Sequence, residues 1–246
     1  MKEQAAPVSR APTVSVIIPA HNEEAFVAGA LNSVLHQRFP LERLECLVVD
    51  NASDDRTAEA ARSFAAQHPD LNLAVVSEPS LGVSRAKNRG AAAARGDILL
   101  FLDADSQLTD SVVADVVEQY VAGVPAGCVR IVADSSDRLD RLFFELNELG
   151  KSLFGIRTQM PYCDRRLFLE LGGFDVRIRV AEDLEFLKRV QGRINRDGKA
   201  KVAYLRSTII LTSPRRLQGG PLRLRLLAVF GRWALAFMGI ARYKEY

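Results

Sequence analysis

Two carboxylates one residue apart, Asp103 and Asp105 in FLDADS, follow directly on the apolar run Ile98–Leu102. Like charges this close destabilise one another unless something positive lies between them, and a turn needs only one of them. A third carboxylate, Asp50, ends another apolar run, LECLVVD. If both runs are strands of a parallel sheet, their ends share one rim, which is where open sheets of this kind bind ligands. An acidic rim becomes favourable when a hard divalent cation carrying a phosphate enters it. Mg²⁺ and Mn²⁺ take one or two carboxylates together with substrate phosphates. Taken singly, each residue also fits a simpler role: Asp50 or Asp103 as a turn former, Asp54 and Asp55 as helix caps, His21 as a surface or capping residue.

The elements that must position these groups are legible in the pattern of apolar residues. TVSVIIP (Thr13–Pro19) is rich in β-branched residues and reads as a buried strand. Phe26, Ala30, Val34 and Leu35 then recur at helical spacing, LECLVVD is a second strand, and NASDDRTAEAARSFAAQ supplies caps and an alanine-rich helix. LAVVS (Leu73–Ser77) is a third strand, SRAKNRGAAAA a helix, and DILLFLD (Asp97–Asp103) the fourth strand. Alternation of this kind, with strands apolar almost throughout, predicts a parallel sheet covered on both faces. After Ser111 the rhythm loosens. A helix is expected over Val112–Tyr120, a strand near Val129–Ala133, a charged helix over Arg138–Lys151, and two late strands, KVAYL and STIILT. The chain therefore divides into a short mobile arm (1–12), one α/β domain (13–213) and a tail (214–246).

Composition excludes several classes. The chain has 246 residues, 48% hydrophobic and 26% charged, and so belongs with folded proteins rather than disordered ones. A net charge of +3 gives no reason to expect nucleic acid as a partner. The charge is unevenly spread: from Arg215 to Tyr246 seven basic residues face the single acid Glu245, which puts +6 on the tail and leaves the remainder at −3. Cys46, Cys128 and Cys163 are widely spaced and form neither a CxxC pair nor a Cys/His cluster, the pattern of reduced structural thiols. MKEQAAPVSRAP carries no apolar signal region, and the longest apolar stretch, Leu226–Ile240, is interrupted by Arg232 and falls short of the ~20 residues of a spanning helix. A cytoplasmic location is expected.

Four segments in order, VSVIIPAHNEE, LVVDNASDD, GVSRAKNRGAAAARGDILLFLDADS and GGFDVRIRVAEDLEFLKRV, resemble the family 2 glycosyltransferases, and the likeness runs from about Thr13 to Leu211. The resemblance implies the GT-A (nucleotide-diphospho-sugar transferase) fold, with a mostly parallel central sheet and helices on both faces. It also implies inverting transfer of a sugar from a nucleotide-diphosphate sugar to a hydroxyl acceptor, aided by Mg²⁺ or Mn²⁺. On the matching positions, Pro19, Ala20, Asn22 and Glu23 would line the nucleotide pocket, and Asp50 would accept a hydrogen bond from the base with Ser53 beside it. Lys87, where the family often has arginine, would lie near the phosphates. Asp103 would face ribose or metal, and Asp105 would ligate the metal. Asp183 would be the general base, with Glu182 beside it, and Gly172, Gly173 and Phe174 would shape the acceptor side. The resemblance favours a uridine diphosphate donor and leaves guanosine diphosphate open. One departure stands out. Many relatives hold the metal with a late histidine, whereas the three here, His21, His36 and His68, are early and the matching region reads IILTSPRRL. Water and phosphate would then complete the metal site, with Arg215 or Arg216 taking part of the phosphate charge.

Simpler readings exist for the later motifs as well. GGFD is also a helix C-cap and turn, and AEDLEF is also a solvated acidic first turn favoured by the helix dipole. In the tail, Leu222, Leu226, Val229, Phe230, Trp233, Phe237 and Ile240 share one helical side and Arg225, Arg232 and Arg242 the other. A basic helix of this type suits the inner surface of a membrane, and a polyprenyl-linked or cell-envelope glycan acceptor would follow from that location. The alternative is docking on the body or on a second subunit. Two rival functions remain. A nucleotidyltransferase would need a glycine-rich loop after strand one, where this chain has PAHNEE. A catalytically inactive nucleotide-binding relative acting as a membrane-associated scaffold would have no need of Asp103, Asp105 and Asp183 together.

Overall fold

The computed structural model describes residues 11–137, 141, 144, 145, 161–178, 181–196 and 202–213, with the side chains of 206–209 excepted. The tail at 214–246, the first ten residues of the arm and most of the helix expected over Arg138–Lys151 lie outside these residues. Four parallel strands form one half of the sheet: β1 (Val14–Ala20), β2 (Leu44–Asp50), β3 (Asn72–Ser77) and β4 (Ile98–Phe101), arranged β3-β2-β1-β4. Their register sets the rim, because Ala20 pairs with Asp50 and Asp50 with Ser77, so the strands stop at a common level.

Successive residues of a strand face opposite sides, and both sides of these strands are covered. On one side Val16 and Ile18 pack with Val27, Leu31 and Val34 of α1 (Val27–Leu35), with Phe64 of α2 (Thr57–Gln67), and with Val113 and Val116 of α4 (Val112–Val121). On the other, Ile17, Val49 and Phe101 pack with Ala86 and Ala91 of α3 (Val83–Ala93). Helix α3 comes very close to the sheet: a Cβ on its Gly90 would stand 2.4 Å from Ile17 Cγ2. The small residues of RGAAAA permit that approach, and it fixes the height of α3 above the rim.

The second half departs from expectation in three ways. KVAYL and STIILT do not form two strands. They form one, β8 (Ala203–Thr212), running parallel to β6 (Ala126–Ala133) with an irregularity in register between Val129 and Arg130. That irregularity supplies the break in pattern that suggested two pieces. Pro161–Asp164, unexpected as a strand, is β7, antiparallel to both β4 and β6. At four residues it is too short for a periodic signal. Ser106–Leu108 is a third surprise, a short β5 antiparallel to β8 that begins one residue after the Asp103–Asp105 pair. Two further helices complete the described fold: α5 (Arg165–Glu170), capped by Asp164 accepting from Leu167 N, and α6 (Glu182–Arg196).

Candidate active site

The rim carries the expected carboxylates. Asp50 ends β2 and is half-buried; its Oδ1 is buried without a hydrogen-bond partner. A buried acceptor in that condition is costly unless a donor arrives. Asp103 and Asp105 occupy the turn after β4, closed by Ser106 N donating to Asp103 O at 3.0 Å. The far end of β8 returns to the same turn, with Ser213 N donating to Asp105 O at 3.0 Å and Ser106 Oγ to Thr212 Oγ1 at 2.8 Å.

A cleft of about 330 Å³ opens at this rim, lined by Pro19, Ala20, His21, Glu23, Asn51, Leu81, Gly82, Val83, Asp103, Ala104 and Asp105. Of the residues expected around a nucleotide, Pro19, Ala20, Glu23 and Asp103 are in this lining. Asp50, Lys87, Asn22 and Ser53 are not. Asn22 N donates to Ser53 Oγ at 3.1 Å and Asn22 Oδ1 accepts from Asp54 N at 2.8 Å. Both residues tie the loop after β1 to the loop after β2. Asp55 is not the helix cap expected of it, since Arg56 holds that position without a side-chain bond; Asp55 accepts instead from Thr57 N and from Glu24 N, tying the same loops. The same knitting explains two left-handed residues that are not glycine, Asn22 (φ 56°) and Ala52 (φ 55°), since strain of this sort survives only where the surroundings over-determine it.

Several lining residues escaped the sequence reading. His21 has Nδ1 2.9 Å from the Asn51 carbonyl oxygen, so Nδ1 carries the proton and donates. Asn51 is fully buried and holds the next loop with three bonds, donating to Glu78 O (3.0 Å) and Ser80 O (2.8 Å) and accepting from Gly82 N (2.8 Å). That loop presents Leu81, 64% exposed, at the lip of the cleft. The signal for Asn51 was its place beside Asp50. Nothing in local pattern marked Leu81.

Across the rim lies a second, buried group. Lys87 of α3 is only 3% exposed. Its Nζ donates to Asp183 Oδ1 at 2.7 Å and to Glu182 Oε1 at 2.9 Å. The two carboxylates open α6 yet are only 16% and 12% exposed. They therefore turn inward and do not form the solvated first turn that was the simpler reading of AEDLEF. Burial pushes the Asp183 carboxyl up to about 7; the charges of Glu182 and Asp103 push the same way, and the Lys87 ammonium pulls against them. Lys87 in turn is held charged, well above its ordinary range, by Asp183, Glu182 and Asp103 against the cost of its own burial. The residue before the pair, Ala181, is left-handed as well (φ 64°).

The GGFD turn stands on the same scaffold. Gly172 and Gly173 both have positive φ, 75° and 68°, ending α5 as a C-cap does. Asn88, next to Lys87, grips Phe174 through both backbone groups, accepting from its N–H and donating to its C=O, each at 2.8 Å. Phe174, expected on the acceptor side, is 2% exposed, and its ring packs on Phe101, Phe168 and Phe186 at 4.8–5.4 Å. Gly172, Gly173 and Phe174 line a second, more open hollow of about 540 Å³ with Asp175, Arg177 and Arg189. Arg189 of α6 ties helix to turn, donating to Leu171 O (2.7 Å) and Gly173 O (2.6 Å) while paired with Glu185.

Among the described residues no group of three or more His, Cys, Asp or Glu side chains is placed to hold a metal ion. Asp103 and Asp105 supply two hard oxygen donors, a set that fits Mg²⁺ or Mn²⁺ completing its shell from phosphates and water. Among those residues, too, no helix is long and apolar enough to cross a membrane.

Comparison with known proteins agrees with this geometry. A family model described as "Glycosyl transferase family 2" matches residues 15–174. The chain is 28% identical over 203 residues to the probable glycosyltransferase YdaM of Bacillus subtilis (strain 168), covering 73% of this chain and 46% of that protein. It spans less than half the length of the first curated relatives it matches. Among solved structures, the mannosyltransferase PcManGT from Pyrobaculum calidifontis, in complex with GDP-Man and Mn²⁺, superposes with a TM-score of 0.66 at 22% identity, over 95% of this chain and 74% of that one. S. aureus TarS 1–349 in complex with UDP-GlcNAc gives 0.65 at 20% identity, over 85% and 60%. These likenesses establish the fold, GT-A.

Proposed function

The chain belongs to glycosyl transferase family 2, and from that membership we propose that it moves a sugar from a nucleotide-diphosphate sugar to a hydroxyl acceptor with inversion at the anomeric carbon. The observation that carries this reading is electrostatic. The charge of Asp103, in the turn after β4, pushes the Asp183 carboxyl up from across the rim, and the buried Lys87 ammonium, bonded to Asp183 at 2.7 Å, feels both.

The residues then divide the work. The unpartnered Asp50 Oδ1 accepts an N–H from the nucleobase. Asp183 takes the proton of the acceptor hydroxyl, a contribution of about 10²–10⁴-fold for a well-placed base. The freed oxygen attacks the anomeric carbon from the side opposite the leaving diphosphate, so the configuration inverts and no sugar–enzyme bond forms. Asp103 and Asp105 would hold a divalent cation, which when bound supplies Lewis-acid neutralisation of the departing diphosphate. Uridine diphosphate is the favoured nucleotide and guanosine diphosphate the alternative; the solved neighbours include a protein bound to each kind of donor.

Calorimetric titration with uridine and guanosine diphosphates, with and without Mn²⁺, tests the reading. Binding of one nucleotide that requires the metal and is lost in Asp105→Asn is expected. No binding of either by the folded chain would move the reading to a non-catalytic membrane scaffold. The basic tail supports a polyprenyl-linked or cell-envelope glycan as acceptor, met at the inner membrane face. Flotation with anionic liposomes is expected for the full chain and not for a chain ending at Ser213; equal flotation of both refutes the tail's part.

A further inference from the structure

We propose that Lys87 is a positioning residue for the base and is not a ligand of the donor diphosphate. The proposal rests on the reading of Asp183 as the base, and it departs from the phosphate-side place expected for Lys87 from sequence.

Geometry carries it. The Lys87 side chain is 4% exposed and its ammonium bonds two carboxylates, Asp183 at 2.7 Å and Glu182 at 2.9 Å. An ammonium has three donors, so most of its hydrogen-bonding capacity is already committed. Its Nζ also stands 5.0 Å from the centre of the Phe174 ring, which closes another approach with an aromatic face. The cleft that holds Asp103 and Asp105 is lined by Leu81 and Gly82 of the preceding loop and by Val83, the first residue of the same helix, and Lys87 is not in that lining. Such an ammonium has little free surface to offer a diphosphate.

What Lys87 does hold is the base. Glu182 and Asp183 are adjacent acids in one helical turn, mostly withdrawn from water, and Asp103 adds a third negative charge to their field. Without the ammonium they would repel one another and swing towards solvent. Lys87 keeps both turned inward at a fixed height, since α3 rests on Ile17 at Gly90, and Asn88 one residue later fixes the backbone of Phe174 on both sides. Helix α3 thus sets donor lip, base and acceptor turn in one rigid relation.

The test compares wild type, Lys87→Met and Lys87→Arg for Mn²⁺-dependent binding of the nucleoside diphosphate and of the bare nucleoside, and for release of nucleoside diphosphate from UDP-glucose or GDP-mannose. The expected result for Lys87→Met is turnover lower by about 10²-fold, the usual cost of a misplaced catalytic group, with the diphosphate-to-nucleoside affinity ratio within about threefold of wild type. Lys87→Arg, whose fork can engage both carboxylates, is expected to recover much of the turnover. A loss of tenfold or more in diphosphate affinity with the nucleoside unaffected would overturn the proposal and leave the transferase reading intact. Failure of the wild type to bind either nucleotide would overturn both. Should Lys87→Met not fold, Glu182→Gln decides: lower turnover at unchanged diphosphate affinity supports the positioning role, whereas tighter diphosphate binding, from an ammonium partly released, refutes it.

Discussion

Replacing Gly173 by alanine is expected to cost far more than the same change at its neighbour Gly172. Both residues sit at positive φ, 75° and 68°, so the conformational penalty, about 1 kcal/mol, is shared by the two variants. The gain from a less flexible unfolded chain is shared as well. They differ in what the new methyl meets. At Gly172 nothing lies within 4 Å. At Gly173 a Cβ would stand 2.5 Å from Asn88 Oδ1 and 3.1 Å from Phe168 Cε1. The amide end of Asn88 could yield, but only by giving up the two bonds it makes to Phe174. Two neutral hydrogen bonds at about 0.5–1.5 kcal/mol each place the difference between the variants at about 1–3 kcal/mol. For a chain of this size that is a midpoint lower by about 2–12 °C in Gly173→Ala than in Gly172→Ala, to be read by thermal unfolding and checked in urea. Loss of turnover should follow the same order, because Asn88 and Lys87 are consecutive on α3. Equal midpoints would refute the reasoning, since they would mean that the Asn88 clamp contributes nothing to the turn.

Two other outcomes follow from the site. With its carboxyl pushed up to about 7, Asp183 is expected to give a transfer rate that rises with pH up to about 7 and then levels; because the folded chain then holds a proton that the unfolded chain releases near 4, stability should fall as pH rises through that window, and Asp183→Asn should remove both the activity and the slope, measured by rate–pH profiles and urea unfolding at pH 5 and 8. Asn51→Ala strips three bonds from the loop 78–82, an expected loss of about 2–4 kcal/mol, and should weaken nucleotide binding through the displaced lip at Leu81, measured by unfolding and calorimetry together.

Local order was written plainly in the chain. β1, β2 and β4 are apolar on both faces, and only a sheet covered by helices can bury such strands; carboxylates at their ends had to meet at one rim. The two glycines of GGFD required positive φ and took it. Where an element was short or interrupted, periodicity had nothing to act on, so β5 and β7 went unseen and the irregular β8 read as two strands.

Which charges would meet was a different matter. Lys87 and Asp183 are 96 residues apart, and the pairing of their side chains depends on the height at which Gly90 lets α3 settle on Ile17. Sequence pattern reports the faces of one element at a time, through periods of two and 3.6 residues. The distance between two elements is set by packing across the core, summed over many contacts from distant parts of the chain. Hence the acidic rim could be read from residue types in order. That Asn22 and Ser53 bind loop to loop, that Phe174 turns inward, and that Lys87 pairs with both Asp183 and Glu182 were decided only when the chain folded.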